Sequence, residues 1–160
     1  MNFEGIHEKT LVLIKPDALQ RGLVGEIVQR FERKGLRIVG MKMMRLDEAV
    51  LREHYAHIAS KPFYPTVEKF MTSAPVVALC LEGLEVVEAV RLVMGITKSR
   101  AAEAGSIRGD LAMGYGNNVI HGSDSVENAK AEVVRFFKPE ELLDYEKGEY
   151  LHVYSEDERG

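Results

Sequence analysis

The stretch Asn118-Val119-Ile120-His121-Gly122-Ser123-Asp124-Ser125 concentrates the chemistry this chain could perform. A short β-branched run delivers one histidine to a strand end, and a Gly-Ser-Asp-Ser turn then opens a helix. Free backbone N–H groups and the positive end of that helix favour an incoming phosphoryl oxygen. A neutral imidazole is a nucleophile without a separate base once its ring and tautomer are held. Glu132, eleven residues on in the following helix, has the chemistry for that task. A carboxylate accepting one ring N–H leaves the lone pair of the other nitrogen free. Spacing alone does not place the carboxylate at the ring. The competing reading of His121 is a structural histidine satisfied beside an apolar run.

Cations form the second group. Lys15 stands at a strand tip, Arg91 late in a helix and Arg108 in a glycine-rich loop. Singly, each reads as a solvated surface charge. Together, at element ends and loops, they could neutralise a polyphosphate, with Thr97 adding a hydroxyl. Phe63 opens a helix, where core packing competes with base stacking. Other chemistries find no support. There is no Gly-x-x-x-x-Gly-Lys-[Ser/Thr] loop, and Gly114-Tyr115-Gly116-Asn117-Asn118-Val119 fails the dinucleotide fingerprint at its last position. His54-x-x-His57 lacks a companion carboxylate or thiol pattern for zinc and reads as a pair of partly exposed helix residues.

These groups need a scaffold. One hundred and sixty residues with 46% apolar content suit a single domain, residues 1–160, with a real core. A net charge of −4 argues against a surface that coats nucleic acid, though not against a small anionic ligand. The single cysteine, Cys80, fits a reducing cytoplasm and reads as a buried strand thiol. No apolar run approaches the roughly 20 residues of a membrane helix. His7, Glu8 and Lys9 stand where a signal peptide would need apolar residues.

Thr10 to Ile14 predicts a buried strand that stops at Lys15-Pro16. Leu23, Ile27, Val28 and Phe31 predict a helix closed by a left-handed Gly35. Leu36 to Met44 alternates as a second strand, with Leu36, Ile38, Gly40, Lys42 and Met44 on one side. A helical hairpin follows: Asp47 caps one helix through Tyr55, and Pro62 begins another to about Met71. Pro75 to Leu81 predicts a third strand, and Leu84 to Gly95 a helix. Residues 96–116 read as an ordered loop and Asn118 to Ile120 as the fourth strand. A helix from Val126 to Phe137 then starts with Asp124 and Glu127 spaced as a capping box, Pro139 opens a short turn, and residues 155–160 form a charged tail expected to fray. The order predicts an α+β, ferredoxin-like split βαβ sandwich: a four-stranded antiparallel sheet with helices on one face.

The octapeptide around His121 resembles the signature of nucleoside diphosphate kinases. So do Lys15-Pro16-Asp17, Gln20-Arg21-Gly22, Gly25-Glu26-Ile27, His54-Tyr55, Lys61-Pro62-Phe63, Gly105-Ser106-Ile107-Arg108-Gly109-Asp110 and Pro139-Glu140-Glu141-Leu142, in order from about Lys9 to Tyr154. The resemblance implies a ping-pong transfer in which His121 takes a γ-phosphoryl on its δ nitrogen and passes it to a different nucleoside diphosphate. It implies that Glu132 holds the other ring nitrogen, that Ser123 bonds Glu132, and that Tyr55 and Lys15 flank the transferred group. Arg91, Thr97 and Arg108 would bind phosphates, Lys15 and Asn118 sugar hydroxyls, and Phe63 the base. Mg²⁺ would bridge nucleotide phosphates without a protein cage. A homo-oligomer is implied, a hexamer ahead of a tetramer, with no membrane or specific nucleic acid as partner. Three positions depart from the family: Thr97-Lys98-Ser99 replaces a frequent Thr-Asn-Pro, Tyr115 replaces an aliphatic residue near the base, and Ala18 replaces a glycine. Two other readings compete with an enzyme: a ferredoxin-like scaffold that binds nucleotide, nucleic acid or a partner, and a phosphohistidine carrier serving a protein.

Overall fold

Strand β1 (Glu8–Ile14) lies at the centre of the molecule because both of its faces are apolar. A computed structural model describes residues 6–159; Gly160, the end of the tail expected to fray, lies outside the described residues. After β1 come α1 (Pro16–Gln20), α2 (Val24–Arg33), β2 (Arg37–Met44), α3 (Glu48–His54), α4 (Tyr64–Met71), β3 (Val76–Gly83) and α5 (Val86–Met94). The chain continues through α6 (Ile107–Leu111), β4 (Ile120–Gly122), α7 (Val126–Phe136) and α8 (Tyr150–Val153). The sheet order is β2-β3-β1-β4 with every neighbouring pair antiparallel, the split βαβ arrangement predicted from the element order.

One part of that expectation is corrected. Helices cover both faces of the sheet, not one. Val12 and Ile14 of β1 and Val77, Leu79 and Leu81 of β3 face α2 and α5 through Ile27, Phe31, Val86 and Val90. Leu11, Leu13, Ala78 and Cys80 point the other way, onto Leu51 of α3, Met71 of α4, and Val133 and Phe136 of α7. Consecutive strand residues alternate between faces, so an unbroken buried run needs cover on both sides. β3 is buried along its whole length. Each fully buried aliphatic side chain contributes about 1.5–3 kcal/mol.

Local physics sets the boundaries. Gly35 adopts φ +94°, with Gly35 N–H on the Glu32 carbonyl and Leu36 N–H on the Phe31 carbonyl, closing α2 as a Schellman motif. Asp47 accepts the Val50 N–H at 2.9 Å and caps α3. A bulge at Val39 breaks the predicted alternation of β2. Ile38 pairs with Leu81 but Gly40 with Cys80, so Ile38 and Gly40 face opposite sides. The expected 96–116 loop contains a 3₁₀ turn (Ser99–Ala101) and α6, which Ser106 caps by accepting the Gly109 N–H at 3.0 Å. Ser125, not Asp124, caps α7, accepting Asn128 N–H at 3.1 Å. Helix α8 was not anticipated. Among the described residues no helix is long and apolar enough to cross a membrane.

A buried charge cluster closes the end of the sheet away from β4. Glu82, 1% exposed, meets Lys9 at 2.8 Å, His7 at 3.1 Å and the guanidinium of Arg37, which also reaches Asp144 and the Tyr145 carbonyl. Burial alone would push the Glu82 carboxyl up, but the hydrogen bonds and charges of Lys9 and Arg37 outweigh it and hold the group below its ordinary value of 4.5. A carboxyl depressed in the folded state gives stability that is fully present above its unfolded pKa and is lost as pH falls through the folded one. Urea midpoints are therefore expected to drop below pH 4.5, with a shallower drop in Glu82→Gln; identical slopes would contradict this. At pH 7, Glu82→Ala should cost about 3 kcal/mol, because Arg37 is left buried without its main partner.

Candidate active site

Between β4, α3, α7 and the loop after α5 lies a cleft of ≈ 800 Å³. Lys15, Tyr55, Arg91, Thr97, Arg108, Asn118, His121 and Glu132 all line it. His121 is the middle residue of β4, opposite Leu13 of β1, and does not stand at a strand end as the sequence reading had it. The strand begins two residues later than expected because Val119 has left-handed backbone, φ +63°. A three-residue strand holds the His121 side chain in place only if its flanks are fixed. Arg108 supplies much of this, donating to the carbonyls of Asn118 (3.3 Å), Ile120 (2.6 Å) and Gly95 (3.0 Å). Gly122 lets α5 close onto β4, since a Cβ there would lie 2.3 Å from Met94 Sδ.

The ring itself is tethered. His121 Nε2 lies 3.1 Å from Glu132 Oε2, and the same oxygen accepts Ser123 Oγ–H at 2.7 Å. Ser123 is fully buried, and its hydroxyl also accepts the Leu11 N–H at 3.3 Å, so the chain of bonds ends in the central strand. Burial alone would raise the Glu132 carboxyl, but its bonds to His121 and Ser123 outweigh that and keep it below the ordinary value. An ionised acceptor on Nε2 fixes a tautomer with Nε2–H and a free Nδ1 lone pair.

Lys15 forms the N-cap of α1, and its Nζ donates to Asn118 Oδ1 at 2.8 Å. The Asn118 amide in turn donates to the carbonyls of Tyr115 (2.9 Å) and Thr97 (3.3 Å). Burial and the charge of Arg108 pull the Lys15 ammonium down to about 8, against the opposing charge of Asp17. Arg108 is no solvated charge: it is buried, and burial together with Arg91 lowers its guanidinium to about 10. Arg91 and Thr97 are exposed at the mouth. Tyr55 follows α3, and burial with the charge of Glu132 raises its phenol to about 12, so it is a hydroxyl donor at neutral pH. Phe63, 54% exposed at the start of α4, is not among the cleft-lining residues.

Two residues of the site were missed. His54, expected to be partly exposed, is buried with its ring edge-on to His121, centroids 4.5 Å apart. Burial, then the charge of His121, lowers it to about 3, so it stays neutral. Arg135 Nη1 lies 3.3 Å from His54 Nδ1. The only sequence signal was the three-residue spacing of Glu132 and Arg135 on one helix face.

This is a histidine-centred, cation-lined cleft on a ferredoxin-like sheet. The family model described as nucleoside diphosphate kinase matches residues 8–142. A nucleoside diphosphate kinase of Parabacteroides distasonis is 49% identical over 94% of this chain and 99% of its own length. Human nucleoside diphosphate kinase B is 49% identical over 92% and 97%. The structure of a halophilic nucleoside diphosphate kinase from Halobacterium salinarum in complex with CDP superposes with a TM-score of 0.90 at 44% identity, covering 93% of this chain and 99% of that one. The chain belongs to the nucleoside diphosphate kinase family.

The Lys15 environment gives a direct test. Carbon-13 NMR of labelled lysine ε-carbons should show one resonance, absent in Lys15→Met, titrating near pH 8. A Lys15 midpoint at the usual value of about 10.4 would contradict the burial argument.

Proposed function

We propose that His121 carries the phosphoryl group between two nucleotides. The observation that supports this best is the bond from His121 Nε2 to Glu132, which leaves Nδ1 as the free nucleophile in a cation-lined cleft. In the first half-reaction the Nδ1 lone pair attacks the γ-phosphorus of a nucleoside triphosphate such as ATP. The P–N bond forms as the bond to the β–γ bridging oxygen breaks, and that oxygen leaves with the diphosphate. The second half-reaction reverses these steps with a different diphosphate as acceptor. One cleft serves donor and acceptor in turn, which suits a single cation set.

Lys15 and the Tyr55 hydroxyl act beside the transferred group, while Arg91, Thr97 and Arg108 bind the phosphates. Lys15 and Asn118 reach the sugar hydroxyls, and Phe63 stacks on the base. Ser123 and Glu132 orient the imidazole. These groups supply alignment and charge neutralisation, the main demands of phosphoryl transfer. The nucleoside diphosphate bound by the Halobacterium relative is consistent with this substrate class.

The reading includes Mg²⁺ that arrives with the nucleotide. Glu132 is already committed to His121 and Ser123, and the phosphate-facing groups are cations, so the residues present suit a hydrated ion held by phosphate oxygens. When bound, Mg²⁺ offsets negative charge on the phosphates. A cytoplasmic location and a homo-oligomer, a hexamer ahead of a tetramer, complete the reading. With both sheet faces covered, the oligomer rests on family membership alone.

Incubation with γ-labelled ATP should give a base-stable, acid-labile label that His121→Ala abolishes and that free diphosphates discharge. Label that passes only to protein would favour a carrier, and an unlabelled parent would overturn the reading. Sedimentation at micromolar concentration should show an assembly; a monomer would contradict the oligomer.

A further inference from the structure

Val119 holds an unusual backbone next to the nucleophile. Its φ of +63° is costly for a side chain branched at Cβ. Ile120 N–H donates to the Asn118 carbonyl at 2.8 Å, which makes a γ-turn centred on Val119. Such a conformation persists only where its surroundings over-determine it. Three constraints do so here. The Val119 side chain is fully buried, its carbonyl accepts the Lys15 N–H at 2.9 Å, and its own N–H donates to Asp17 Oδ2 at 3.1 Å. Among the described residues, Asp17 is the only side chain that bonds this amide.

The turn matters because of what it joins. On one side is Asn118, whose Oδ1 accepts from Lys15 Nζ; on the other is His121, two residues on. A valine relaxed to negative φ would redirect the chain between them and separate Asn118 and Lys15 from the imidazole. Asp17 itself does not line the cleft; apart from its charge on Lys15, it reaches the site through this backbone.

We propose that Asp17 is a positioning residue for phosphoryl transfer: it accepts the Val119 amide and so holds the left-handed turn that sets Asn118 and Lys15 against His121. This rests on the reading of His121 as the phosphoryl acceptor.

The test is rapid-quench phosphorylation of the intact 160-residue chain by saturating ATP, expressed per folded molecule. Asp17→Ala should slow the first turnover by roughly 10- to 100-fold, as expected for a misplaced reacting geometry. Asp17→Asn keeps an amide oxygen as acceptor and should recover the rate to within about threefold of the parent. The decisive variant combines Asp17→Ala with Val119→Gly, because glycine adopts positive φ without steric cost. It should regain about tenfold over Asp17→Ala while its unfolding midpoint falls, since the valine packing is gone. A role limited to stability would lower the unfolding midpoints and leave the rate per folded molecule at the parent's value in the single and double variants alike. Where Asp17→Ala does not fold, Asp17→Ser, too short to reach the amide, supplies the same comparison. An Asp17→Ala rate equal to the parent's, or a double variant no faster than the single one, would overturn the positioning role. A parent chain that takes up no label would instead overturn the reading of the site.

Discussion

The carboxylate of Glu132 is the contact on which the site depends. One oxygen takes both the His121 Nε2–H and the Ser123 hydroxyl, and Ser123 is bonded back to Leu11 in the central strand. The ring is thereby referenced to the buried residues 10–14 of β1 through a path of directional bonds. A charged acceptor gives stronger bonds than a neutral one. It also costs desolvation energy, which the His121 and Ser123 bonds more than offset at this site. Helix α7 provides the carboxylate, so its packing over β1 also sets the position of the His121 ring.

The sheet order follows from the same need. β4 is three residues long and pairs only with β1. So brief a strand has little hold of its own, and the structure compensates with bonds from outside it. Arg108 binds three carbonyls around it, Ser123 N–H bonds the Leu11 carbonyl, and the γ-turn at Val119 ties its start to the beginning of α1. The cations that line the cleft and the structural clamps are thus partly the same residues. Lys15 and Arg108 remain accessible from the cleft while their backbone or side-chain bonds fix its walls.

Much of the scaffold was legible because its signals are local. Gly35 and Asp47 end and begin helices by conformational freedom and side-chain capping, which act within four residues. The apolar runs of β1 and β3 also carried a readable signal for cover on both faces, since a one-faced strand would alternate. Local reasoning failed where tertiary contacts decide. Val119 breaks the predicted start of β4 because Asp17 and Lys15, remote in sequence, hold it in the left-handed region. Helix α6 is too short to show a period, and the Val39 bulge shifts the β2 register with only the neighbouring Gly40 to mark it in the sequence. Of the site, residue types and their positions at element ends were visible. The distance from Glu132 to His121 and the burial of His54 and Arg108 were not, because they depend on how α7, α3 and α6 pack.

The central claim is that Glu132 occupies Nε2 and leaves Nδ1 to react. Heteronuclear NMR of the phosphorylated protein, labelled with nitrogen-15 in histidine, identifies the phosphorylated ring nitrogen directly. Phosphorus coupling to His121 Nδ1, with a proton retained on Nε2, is the predicted result. Phosphorylation on Nε2, or on any residue other than His121, would contradict the account.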